Sequence, residues 1–162
     1  MRSYRDYRSN WSGGEKTPGL SPASWNVLAI PAAVLFVMAI LQAIGFGRFK
    51  DFLDNIKVGW PALVAVVIII AEIWGALSLL RVPMSAMLRF IGVSLAVAVV
   101  SFWFVETLFL VTSDTARALQ NNGLFGKYLS QTPGWWTVIE VSILLFWVVY
   151  AAELLKWRPA RG

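Results

Sequence analysis

Four long stretches of nearly unbroken apolar sequence decide what this chain folds into. They run from Trp25 to Phe46, from Trp60 to Leu80, from Leu88 to Val111 and from Trp135 to Leu155. A hydrocarbon core of about 30 Å is crossed by about 20 helical residues rising about 1.5 Å each. Each stretch meets that length and is apolar on nearly every face, unlike the one-sided stripe of a soluble helix. Strands of a membrane barrel would alternate strictly over about 10 residues, and no such alternation is present. Consecutive spans joined by short connections become antiparallel neighbours. The expected fold is all-α and integral to the membrane: an antiparallel four-transmembrane-helix bundle with short interfacial helices in the outer loops.

Composition agrees and narrows the chemistry. Hydrophobic residues make up 58% of the 162 and charged residues 14%, against about 25% charged in a soluble domain. There is no cysteine and no histidine. That removes disulfides, dithiol exchange, zinc fingers, His-ligated haem and His-dependent nucleophilic catalysis. The acids have no metal-site spacing. Gly13-Gly14-Glu15-Lys16-Thr17 lacks the full phosphate-loop pattern.

Residues 1–24 are expected to form a flexible basic and aromatic cytoplasmic tail, 25–157 the four-helix domain, and 158–162 a second cytoplasmic tail. The first tail is no signal peptide, since polar residues continue to Ser24 and the following run is long enough to span. Arg2, Arg5 and Arg8 alternate there with Tyr4, Tyr7 and Trp11, a mixture suited to anionic headgroups and too short to favour nucleic acid. The tails and the second loop hold nine Lys and Arg, the first and third loops five. That bias favours both termini in the cytoplasm. Trp25, Trp60, Trp135, Trp136 and Trp157 mark span ends, where an indole sits well among headgroups.

In the first outer loop Phe49, Phe52, Leu53 and Ile56 recur at helical spacing among alternating charges, the pattern of a short amphipathic helix. The third loop, Thr112 to Gly134, is expected to hold a short helix capped by Ser113 and running through Leu119, then a second small segment from Leu124 to Leu129.

Ionisable residues within spans are costly, about 2.5–3.5 kcal/mol each on the insertion scale, and mark candidate sites. Glu72 lies deepest. Gln42, Glu106 and Glu140 fall near one level toward the outer ends of three spans. Facing inward, they would make a proton-sharing site, or a site for a cation or a ligand's polar head; alternatively they hydrogen-bond across helices and fix packing. Trp74, Trp103 and Trp147 lie inside spans, as packing bulk or as an aromatic wall for a quinone or lipid tail. Ala71, Gly75 and Ser78 form a small-residue strip expected to pack against a second one, Ser94, Ala98 and Ser101.

The segment from Gly45 to Arg81 resembles the DoxX/MauE-like family of small four-helix membrane proteins. The matching pieces are Gly45-Phe46-Gly47-Arg48-Phe49-Lys50-Asp51-Phe52, Gly59-x-Pro61, Glu72-Ile73-Trp74-Gly75-x-Leu77 and Leu79-Leu80-Arg81. The rest of the chain is similar in layout. The resemblance implies an accessory role in membrane redox chemistry, with quinone as the associated cofactor. Relatives that exchange thiols are no guide here, because cysteine is lacking. The reading is a quinone-associated or non-catalytic subunit of the bacterial inner membrane, with the lipid bilayer and a membrane protein or a second copy as its expected partners, and without catalysis of its own. Two alternatives stay open: a structural subunit of a larger membrane complex, and a small proton-linked transporter.

Overall fold

A computed structural model describes residues 22–113 and 134–156 of the chain. Residues 114–129 of the expected third-loop segments, residues 1–21 of the first tail and the 158–162 tail lie outside the described residues; Pro22, Ala23 and Ser24, expected in the first tail, are instead helical. Within them the chain forms five helices: α1 (Pro22–Ile44), α2 (Phe46–Asn55), α3 (Pro61–Leu79), α4 (Ala86–Thr112) and α5 (Trp135–Lys156). Four of them, all but α2, are long and apolar enough to cross a membrane. They pack in a ring in the order α1, α3, α4, α5, with the seam between α5 and α1 the lightest.

Local chemistry explains the boundaries. Pro61 opens α3 where its missing N–H costs nothing. Ser85 caps α4, its hydroxyl accepting the Leu88 N–H at 3.3 Å; the helix therefore starts two residues before the expected Leu88. α2 and α3 close in the same way. Lys57 N–H bonds the Asp54 carbonyl and Val58 N–H that of Leu53; Arg81 N–H bonds Ser78 and Val82 N–H bonds Leu77. This paired closure requires a left-handed residue, usually glycine. Lys57 (φ 62°) and Arg81 (φ 57°) occupy it instead, each bringing a cation to the negative end of a helix.

The first span ends earlier than its apolar run. The helical ladder of α1 finishes with Gly45 N–H on the Leu41 carbonyl, and α2 begins with Phe49 N–H on the Gly45 carbonyl. Gly45 thus breaks what the sequence reads as one span to Phe46. α2 then turns Phe49, Phe52 and Leu53 into the core and leaves Arg48, Asp51, Asp54 and Asn55 exposed. The loop helix expected from the Phe and Leu spacing is present, with its apolar face against the long helices rather than free.

The α3–α4 seam is the closest approach. A Cβ on Gly75 would sit 2.7 Å from the Ala96 Cβ, and one on Gly92 would collide with the Ser78 Oγ. Gly75 and Ser78 lie in this seam as expected, and Ala71, one turn before Gly75, is buried. The expected partner strip is corrected. Ser94 and Ala98 are exposed and Ser101 half-buried, whereas Gly92, Ala96, Val99 and Val100 are buried. Positions 92 and 94 lie about 200° apart around a helix, so the hydroxyl-bearing strip occupies the opposite face from the true seam.

Candidate functional site

The residues that converge in the middle of the ring come from three helices. α3 supplies Glu72, α1 supplies Gln42 and α4 supplies Trp103. Glu72 and Gln42 have no solvent exposure and Trp103 has 1%. The Trp103 indole N–H donates to Glu72 Oε1 at 3.0 Å, and the Gln42 amide Nε2 donates to the same oxygen at 3.3 Å. Glu72 Oε2, equally buried, has no hydrogen-bond partner among the described residues. One carboxyl oxygen thus ties three helices together while the other is left unmatched. Each buried, unpaired polar atom of this kind has a desolvation cost, commonly about 1–3 kcal/mol.

Side-chain direction explains how these residues meet. Helical side chains lean toward their own N-terminus. Gln42 stands two residues before the end of α1, whereas Glu72 stands eleven residues into α3, about 16 Å along its axis. α1 thus ends close to the cluster, and α2, which follows it directly, brings Phe49 and Phe52 there. Its rings close over the indole: Phe49 and Phe52 lie 5.9 and 6.3 Å from Trp103, tilted by 32° and 30°, and Phe102 meets Trp103 edge-on at 5.4 Å. Such tilted pairs add about 0.5–1.5 kcal/mol each beyond their burial.

The other candidates fall elsewhere. Gln42 bonds Glu72, while Glu106 and Glu140 are half-buried on α4 and α5. Trp74 is half-buried on α3 with its ring edge against Gly92, and Trp147 is half-buried on α5. Of the three interior indoles, Trp103 alone is in the polar cluster. Thr107, one turn along α4, turns its hydroxyl back to the Trp103 carbonyl at 2.7 Å, the usual way a hydroxyl is satisfied inside an apolar helix. No group of acids among the described residues is arranged to hold a metal ion.

Sequence reasoning singled out Glu72, Gln42 and Trp103 separately and missed their union. Residues 42, 72 and 103 are too far apart in the chain for any periodicity to link them. It also missed the part played by Phe49 and Phe52, whose helical spacing was visible but whose docking on Trp103 was not. What the arrangement can do chemically is limited and definite: it holds one carboxyl in a buried setting beside an indole, with two N–H donors fixing one oxygen and the second oxygen open to a proton, a water or a ligand's donor group. Compared with known proteins, the chain matches no family model, no curated protein and no solved structure.

Proposed function

We propose that this chain is a multi-pass protein of the bacterial inner membrane, an antiparallel bundle with both termini cytoplasmic. It serves as a DoxX/MauE-like accessory subunit of a membrane redox system, associated with quinone and not catalytic by itself. The observation that carries the reading is the Glu72–Gln42–Trp103 cluster. A carboxyl in the apolar interior is costly, and this one keeps an oxygen unmatched among the described residues while its other oxygen bonds Trp103, whose ring packs against Phe49 and Phe52. Rings flanking a polar group suit a flat ligand with a polar edge. The nine-to-five division of basic residues supports the orientation, which puts α2 on the outer side.

A second reading makes the protein a structural subunit. It is favoured by the closeness of α3 and α4 at Gly75 and Gly92 and by the way Glu72 joins three helices. Native purification followed by extraction and mass spectrometry of bound lipids tests the first reading. It expects quinone at a fixed ratio to protein, reduced in Glu72→Gln and in Trp103→Phe while the fold persists. Absence of quinone from the intact protein, with full function in Glu72→Gln, would leave the structural role.

A further inference from the structure

We infer that α2 is a hinged cover giving Glu72 access to water from one side only, the side on which α2 lies. The inference rests on the Glu72 cluster as the functional site and adds the direction from which it is reached. Three observations carry it.

The first is the unmatched Glu72 Oε2, fully buried. An oxygen in that position is completed by a water molecule or a proton, and either has to arrive from an aqueous phase. The second is the contrast between the two ends. Toward the α3–α4 turn, Glu72 is followed by Gly75, Ala76, Ser78 and Leu79, all buried, with Gly75 against Ala96 and Ser78 against Gly92. Backbone-close packing of this kind has no side chain that can swing aside. Toward α2 the closure is made by side chains: Trp103 lies over Glu72, and Phe49 and Phe52 lie over Trp103.

The third is the construction of α2 itself. It is one amphipathic helix whose charged residues Arg48, Asp51 and Asp54 face outward. It hangs from α1 at Gly45, where one ladder of hydrogen bonds ends and another starts. The first amides of a helix have no intrahelical partner, so rotation about this junction breaks few backbone bonds. Gln42 sits three residues before the junction and donates to Glu72, which links the hinge to the carboxyl. Among the described residues, the groups bonded to Glu72 are Gln42 from α1 and Trp103 from α4, neither of them charged. Glu106 is on α4, one turn beyond Trp103.

Because the chain has no cysteine, Glu72→Cys supplies a single thiol. The protein is reconstituted in sealed vesicles and treated from outside with a membrane-impermeant methanethiosulfonate. Asp51→Cys, exposed on α2, reports the fraction of molecules with α2 outward; Pro83→Cys, exposed in the α3–α4 turn, reports the opposite fraction. The expected result is slow labelling of Glu72→Cys to the Asp51→Cys fraction, accelerated about tenfold or more by Phe52→Ala, which removes a ring that only the closed cover packs. Gln42→Cys leaves Glu72 in place and is expected to follow the same pattern, so that an unstable Glu72→Cys still leaves a decisive reading. Labelling to the Pro83→Cys fraction, equal labelling from both sides, no labelling, or a rate unchanged by Phe52→Ala would overturn the inference. The readout is access alone, so a failure to find quinone does not affect it.

Discussion

If the indole N–H of Trp103 is part of what holds three helices on one carboxyl oxygen, its loss must be felt only while that oxygen is present. Trp103→Phe keeps an aromatic ring for Phe49 and Phe52 to pack against but removes the donor 3.0 Å from Glu72 Oε1. Glu72→Met keeps side-chain length and removes both oxygens. The double-mutant cycle isolates the bond from the change in ring size. Interhelical hydrogen bonds in membranes average about 0.6 kcal/mol and reach about 1.7, while bonds to a carboxylate in a dry interior approach about 3. Oε1 keeps the Gln42 donor at 3.3 Å when Trp103 is changed, so the loss is partial. The expected coupling is about 1–2 kcal/mol, a factor of about 5–30 in the folding equilibrium. Reversible unfolding in mixed micelles of mild detergent and dodecyl sulfate, followed by helical circular dichroism, measures it. A coupling within about 0.3 kcal/mol of zero, the ordinary limit of additivity for independent sites, would refute the reasoning.

Other changes probe the surrounding architecture. Gly75→Ala puts a Cβ 2.7 Å from the Ala96 Cβ and 3.1 Å from its Cα, and overpacking of this kind costs about 1–3 kcal/mol; the same micelle titration should show Ala96→Gly recovering part of it. Ala98→Leu, on the exposed face of α4, should change stability by less than about 0.5 kcal/mol, whereas Gly92→Leu should prevent folding. Arg81→Gly relieves a left-handed non-glycine residue and should stabilise by about 0.5–1 kcal/mol, read as a higher unfolding midpoint. Ser85→Ala removes the cap on Leu88 N–H and should cost about 0.5–1 kcal/mol, with amide exchange speeding first at 86–89.

The long helices were legible because the bilayer imposes a length and a polarity that a run of side chains carries on its face. α3 runs from Pro61 to Leu79 and α5 starts at Trp135, within a residue of the apolar limits. Where a local signal competed with hydropathy, the boundary moved. Gly45 ended α1 inside its apolar run, and Ser85 started α4 ahead of Leu88. The acid worth testing was also legible, since Glu72 is an ionisable residue in the middle of a span.

What the sequence determined by itself was thus one-dimensional: four segments that must cross oil, an amphipathic turn of chain between two of them, and a carboxyl stranded in an apolar run. Tertiary structure decided which face of α4 meets α3, choosing Gly92 and Ala96 over Ser94 and Ala98 because only the bare backbone of Gly92 leaves room for Ser78. It decided too that Gln42 and Trp103 meet at Glu72. Hydropathy is a property of each segment alone, while the rotation and depth of a helix are set by the shapes it packs against, and those shapes exist only once the neighbours are in place.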